Sequence, residues 1–128
     1  MPRPVPGDRL LDIGCGPGFF LVAAREAGWQ VHGIDSAQYA AEYASTRFGL
    51  DVTIGEIEDI EMEGLFRVAT MWDVLAHIRD PLSALRRAHE MIQPGGSLFV
   101  HTPYRTKRMF SVARQVSFLP KARTLLHI

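Results

Sequence analysis

Apolar and polar positions along this 128-residue chain fall into two kinds of segment. Short apolar runs bounded by glycine, proline or an acid read as buried strands. They cover Arg9 to Ile13, Gln30 to Ile34, Asp51 to Ile54, Phe66 to Met71 and Ser97 to Thr102. Between them lie stretches with helical spacing. The first runs from about Phe19 to Ala27, with Gly28 as a left-handed C-cap. The second is Ala-rich, takes Ser36 as its N-cap and stops at Gly49. The third starts at Asp80-Pro81, an acid cap with proline in the first turn. It sets Leu82, Leu85, Ala88, His89 and Ile92 on one face before Pro94-Gly95-Gly96 closes it. His89 on that face is expected in the core. A basic helix from about Thr106 to Phe118, stopped by Pro120, is expected at the end of the chain. Residues 1–8 read as an irregular lead-in, and Glu56 to Gly64 as an acidic loop with room for one helical turn.

Strands that alternate with helices make βαβ units, hence a parallel sheet with right-handed crossovers and helices on its faces. The expected fold class is therefore α/β, a Rossmann-like sheet of about five strands in one domain spanning residues 1–128. Ligands of such sheets bind outside the carboxyl ends of the strands, where the strand order reverses. The polar residues of interest fall there. Asp12 ends the first strand, with Gly14, Gly16 and Gly18 behind it. Asp35 ends the second strand, Glu56 follows the third, and Trp72 and Asp73 follow the fourth.

Composition adds limits. A hydrophobic fraction of 47% with 22% charged residues is that of a globular protein. The single cysteine, Cys15, excludes an internal disulfide and suits a reducing compartment. No apolar run approaches a bilayer span, and the N-terminus lacks a signal-peptide stretch, so a cytoplasmic location is expected. The net charge is zero but unevenly spread: residues 1–102 hold eight bases and fourteen acids, residues 103–128 six bases and no acid. Such a basic segment serves an anionic substrate or surface, or is simply a solvated face. Nucleic acid is not the expected partner.

The turn Asp12-Ile13-Gly14-Cys15-Gly16-Pro17-Gly18 carries the chemistry. Its glycines allow positive φ and close approach of a ligand to the backbone. Its peptide N–H groups, with the helix N-terminus behind them, are expected to floor a nucleoside-type ligand. The dinucleotide fingerprint requires a glycine three places after the second, and Phe19 occupies that place. A nicotinamide-dependent oxidoreductase is thereby disfavoured. The pattern D-x-G-x-G-x-G resembles motif I of the class I S-adenosylmethionine-dependent methyltransferases. Further stations agree: Met71-Trp72-Asp73-Val74-Leu75-Ala76-His77-Ile78-Arg79-Asp80-Pro81, then Gln93-Pro94-Gly95-Gly96, then His101-Thr102-Pro103. They resemble the branch holding the ubiquinone-pathway O-methyltransferases and related bacterial small-molecule methyltransferases. The likeness covers roughly residues 9 to 104.

That resemblance implies S-adenosyl-L-methionine as cofactor and a small-molecule methyl acceptor. It implies a cofactor site built from Asp12, Gly14, Cys15, Gly16, Gly18, Asp35, Ser36, Glu56, Ile57 and Trp72. Asp35 is expected to accept from both ribose hydroxyls, because a carboxylate meets a vicinal diol with two charge-assisted bonds; the alternative is a helix-capping aspartate. Asp12 either sits near the methionine amino group or is satisfied by the loop. Glu56 and Ile57 match the place where the family reads adenine. Trp72 is expected to pack on the cofactor. His77 is either the general base for an acceptor hydroxyl, since an imidazole titrates near neutrality, or a structural histidine at the start of the Asp80 helix.

The sequence also departs from the family. Ala76 replaces the glutamate that, in some relatives, joins an acid and the histidine around a divalent metal. Asp73 and His77 alone are too few for a hard cation, and no metal is expected. Arg67 stands where an acid commonly begins the fourth strand. Two of the family's seven strands and a leading helix are not found. This leaves an expected uncovered edge at the fifth strand, or at whichever strand the family's last hairpin covers, with homodimerisation or aggregation as its consequence. It also leaves a second functional reading, a fragment that binds the cofactor or a partner without catalysing transfer.

Overall fold

The computed structural model describes residues 1–102 and the backbone of residues 123–127. The basic helix expected over Thr106–Phe118 lies outside the described residues. Six parallel strands form one sheet in the order β3-β2-β1-β4-β5-β6. They are β1 (Arg9–Ile13), β2 (Gln30–Asp35), β3 (Val52–Ile54), β4 (Phe66–Trp72), β5 (Ile92–His101) and β6 (Arg123–His127). The five strands expected from the apolar pattern are all present. The sixth pairs with β5 from Ser97↔Arg123 to His101↔His127, so the edge expected at β5 is covered. Helices α1 (Phe19–Glu26), α2 (Gln38–Phe48) and α3 (Pro81–Glu90) make the crossovers.

Strand alternation sends neighbouring residues to opposite faces, and each face has its own apolar layer. Leu10, Leu21, Ala24, Trp29, Ala44, Leu50 and Val68 pack on the α1–α2 side. Leu11, Ile13, Ile34, Phe66, Met71, Leu85, Ala88 and Leu98 pack on the α3 side. Leu10 and Leu11 are both fully buried, one in each layer. Burying a leucine stabilises by roughly 1.5–3 kcal/mol, so β1 holds the two layers together. Order along the sheet reverses between β1 and β4, placing the Gly14–Gly18 turn at the switch point.

Two local features differ from expectation. α3 ends at Glu90, and β5 begins at Ile92 rather than at Ser97. Phe66 pairs with Ile92 and Val68 with Ser97, so Pro94, Gly95 and Gly96 are accommodated as an irregularity within the strand. Gly95 takes φ 79°, and a Cβ on Gly96 would lie 2.7 Å from the Arg67 carbonyl. A tight excursion thus replaces the expected helix-ending turn. Arg67 forms an ion pair with Asp8 and pins the lead-in to β4. The Val5 N–H and the Arg67 guanidinium hold the Asp8 carboxyl below its ordinary range. His89 is 9% exposed, within the core as expected.

Candidate cofactor site

The chain leaves β1 through three glycines with left-handed backbone, Gly14 (φ 74°), Gly16 (φ 53°) and Gly18 (φ 90°). Packing demands two of them. A Cβ on Gly14 would sit 2.4 Å from Val74 Cγ2, and one on Gly18 2.5 Å from Leu50 Cδ1. Gly16 differs: nothing lies within 4 Å of the place its Cβ would take. That open space is where a ligand can close on the backbone.

The N–H groups of this turn do not form the expected polar floor. Gly14 and Cys15 both donate to the Ile34 carbonyl, at 2.7 and 3.0 Å, and Gly18 donates to the Cys15 carbonyl at 3.1 Å. Gly16 donates to Asp35 Oδ2 at 2.7 Å. The loop needs these bonds to turn sharply, because a buried amide without a partner is costly. Its donors are therefore engaged within the protein and tie it to the end of β2.

Asp35 Oδ1 accepts from the Ala37 N–H at 2.8 Å, an Asx turn that leads into α2. That bond corrects the expected role of Ser36, which is exposed and does not cap the helix; the N-cap position is Ala37. Each Asp35 oxygen is held by one backbone donor and keeps a second lone pair. The capping and ligand readings of Asp35 are thus compatible.

Asp12 lies 2% exposed at the end of β1, in register with Gly33 on β2 and Thr70 on β4. Thr70 Oγ1 donates to Asp12 Oδ1 at 2.6 Å. Burial pushes the Asp12 carboxyl up to about 7; the Thr70 hydroxyl opposes this, and the nearby Asp35 charge reinforces it. Cys15 is 8% exposed, and a Cβ on Gly33 would come within 2.6 Å of its sulfur. Burial pushes its thiol up to about 12. The Cys15 side chain is therefore a core residue, and its N–H is already used.

Glu56, exposed, precedes a 3-10 turn at Ile57–Asp59. The Ile57 side chain is buried in the α3-side core and offers a ligand only its backbone. Glu56, Glu58, Asp59, His77, Ile78, Arg79 and Asp80 line an open cleft of about 480 Å³. His77 is exposed at the end of a 3-10 turn, Leu75–His77, in the same cleft as Glu56. Asp80 caps α3 as expected, accepting from the Ser83 N–H at 3.2 Å.

At the end of β4, Trp72 is 41% exposed and packs against Phe20 of α1, ring centroids 5.2 Å apart. Asp73 follows in left-handed conformation, φ 57°, which non-glycine residues adopt uncommonly. Its partner is His101: Oδ1 lies 2.6 Å from His101 Nδ1, and the Asp73 N–H donates to the His101 carbonyl at 2.9 Å. The sequence grouped Asp73 with His77 and left His101 without an assignment. The missing signal was register, since only the pairing of Trp72 with His101 brings the ends of β4 and β5 level. Among the described residues, no three His, Cys, Asp or Glu side chains gather closely enough to hold a metal ion.

A glycine turn at the switch point of a parallel sheet, tied to an acid at the end of the next strand, is the architecture on which α/β proteins seat nucleoside-type ligands. Residues 1–126 match the methyltransferase domain family, and the chain belongs to that family. It is 34% identical over 116 residues to a ubiquinone biosynthesis O-methyltransferase of Xanthomonas campestris, an alignment covering 85% of this chain and 48% of that protein. The chain thus spans about half the length of the curated relatives it matches. An S-adenosylmethionine-dependent methyltransferase from Mesorhizobium loti superposes with a TM-score of 0.66 at 27% identity, over 75% of this chain and 46% of that one. The S-adenosylmethionine-bound amino pentose methyltransferase CalS10 of Micromonospora echinaspora gives 0.71 at 22% identity, over 76% and 43%. The oxidoreductase reading is set aside. No helix among the described residues is long and apolar enough to cross a membrane.

Proposed function

We infer that this chain binds S-adenosyl-L-methionine and transfers its methyl group to a hydroxyl of a small molecule. The observation that carries this reading is the Gly16–Asp35 pair, an open glycine backbone bonded to a carboxylate at the switch point. When bound, the cofactor supplies a methyl group already activated on a positively charged sulfur. The protein's task is then to hold, align and desolvate.

Each residue has a place in that task. Asp35 uses its second lone pairs for the ribose hydroxyls. Gly16 admits the cofactor against the backbone, and Gly14 and Gly18 keep the turn closed. Asp12, buried beneath the loop, offsets the positive charge of the methionine portion. Glu56 accepts from the adenine amino group beside the Ile57 backbone, and His77, facing the same cleft, contacts whatever fills it. Trp72, braced by Phe20, screens the site from water. Isothermal titration with S-adenosylhomocysteine tests this reading. Saturable binding is expected, and no detectable heat from folded protein at millimolar ligand overturns it.

A further inference from the structure

Thr70 is fully buried on β4, level with Asp12 on β1. A polar side chain in such a place needs a partner, and its hydroxyl has two within reach. Asp12 Oδ1 lies 2.6 Å from Thr70 Oγ1, and the Leu11 carbonyl lies 3.4 Å from it. The branched Cβ of threonine restricts χ1, so the oxygen stays between the two while its proton is free to turn.

Two acceptors let one hydroxyl serve the carboxyl in either charge state. Against ionised Asp12, Thr70 donates to Oδ1. Against protonated Asp12, the carboxyl O–H donates to Thr70 Oγ1, and the hydroxyl proton swings to the Leu11 carbonyl. The rest of the surroundings oppose a negative charge. On β2 Asp12 faces Gly33, and the space over that glycine is filled by the Cys15 sulfur and by Leu21 of α1. The titratable groups that interact with it are Asp35 at the end of β2, which repels a second negative charge, and the Cys15 thiol, which burial keeps neutral. Among the described residues, none places a positive charge beside it. A buried carboxylate without a cation is costly, so a cation that arrives with a ligand tips its charge state strongly.

We propose that Thr70 is the positioning residue of Asp12 and makes cofactor binding proton-linked: the carboxyl is protonated in the free protein and gives its proton to water when the cofactor's positively charged methionine portion settles beside it. The Thr70 hydroxyl then turns from the Leu11 carbonyl back to the carboxylate. This rests on the methyl-transfer reading, and its consequence is selectivity. The full cofactor gains from Asp12, whereas a nucleoside without positive charge gains nothing.

The test sets S-adenosylmethionine against 5′-methylthioadenosine, which keeps the nucleoside and a neutral thioether but lacks the amino acid portion. Calorimetric titration of the full chain at pH 6.5, in buffers of different ionisation enthalpy, should show proton release with the first ligand and none with the second. Between pH 5.5 and 8.5, Thr70→Val should move the rise of S-adenosylmethionine affinity up by about one pH unit, the size expected of one hydrogen bond to a charged group. That variant should bind severalfold more weakly at pH 7 and within about twofold of wild type at pH 8.5. Thr70→Ser, which keeps the hydroxyl, should restore the wild-type profile, and 5′-methylthioadenosine should bind all three proteins alike. A Thr70 that matters only for packing would lower affinity for both ligands equally at every pH, and that result overturns the proposal. Wild-type protein that binds S-adenosylmethionine without releasing a proton, or releases as much with either ligand, overturns it too, whether or not Thr70→Val folds. If neither ligand binds folded wild-type protein, the methyl-transfer reading itself fails.

Discussion

The Gly16 N–H and Asp35 Oδ2 are joined at 2.7 Å across nineteen positions of sequence. One carboxylate therefore shapes the glycine turn through Gly16 and starts α2 through Ala37. Whatever Asp35 contributes to a ligand, it contributes from a position the protein has already fixed. Preorganisation of this kind lowers the ordering cost of binding.

Replacing Asp35 by alanine is expected to act twice. Loss of two charge-assisted bonds to the ribose, each about 1.5–3 kcal/mol, should weaken S-adenosylhomocysteine binding by roughly two to four orders of magnitude, at about 1.4 kcal/mol per tenfold. The same change strands the Gly16 and Ala37 amides, so the melting temperature should also fall. Asp35→Asn, which keeps one acceptor oxygen, should restore part of the stability and little of the affinity. Calorimetric titration and thermal unfolding of both variants check this. Unchanged affinity in Asp35→Ala would remove the ribose role.

Gly14 and Gly16 make a matched pair of opposite kind. Gly16→Ala places a methyl group in open space, so its stability cost is backbone strain alone, about 1–2 kcal/mol. Its affinity for S-adenosylhomocysteine should fall more than tenfold, because the methyl occupies the ligand's space. Gly14→Ala adds the same strain and drives the methyl into Val74, whose branched Cβ is stiff. Overpacking adds about 1–3 kcal/mol, so Gly14→Ala should be the less stable protein. Chemical denaturation beside titration ranks the two variants. A Gly16→Ala protein that binds normally would show that no ligand approaches there.

Cys15 sits in the glycine turn but turns its sulfur inward, toward Gly33 and into the core layer that includes Leu21. Reactivity requires an accessible thiolate, and burial denies both. In the native state at pH 8, a thiol reagent such as 5,5′-dithiobis(2-nitrobenzoate) should label it far more slowly than in denaturant. Rapid stoichiometric labelling of folded protein would contradict the buried placement.

Much of this was legible from residue order. Strand and helix identities follow from apolar periodicity, and Asp80-Pro81 announced α3 through its cap. The placement of the glycines, Asp35 and Glu56 at or just past strand ends was legible in the same way. What stayed hidden depended on pairing. The turn's donors looked available because the Ile34 carbonyl that takes two of them lies across the sheet. The link between Asp73 and His101 needed the β4–β5 register, which the irregularity at Pro94–Gly96 obscures to any count along the chain. Ser36 has the right chemistry for a cap, but Asp35 reaches the helix start first.

Asp12 supplies the pH dependence. Its carboxyl is raised from an ordinary 3.8 to about 7 in the folded protein, chiefly by burial. Between about pH 4 and pH 7 the folded state therefore holds a proton that the unfolded state has released. Stability follows the difference in bound protons, so this group's contribution declines as pH rises through that window and levels off above it. The full span corresponds to roughly 4 kcal/mol at about 1.36 kcal/mol per pH unit. Asp12→Asn keeps an oxygen for the Thr70 hydroxyl and cannot ionise. Guanidinium unfolding at pH 4.5, 5.5, 6.5 and 7.5 should show stability falling more steeply with pH in wild type than in the variant, other groups cancelling in the comparison. A cationic ligand beside the carboxylate favours its ionised form, so S-adenosylmethionine should release a fraction of a proton on binding near pH 6.5. Titrations in buffers of different ionisation enthalpy measure that fraction, and Asp12→Asn should abolish it. Parallel stability profiles in the two proteins, with no proton release, would show that Asp12 is already ionised in the folded state.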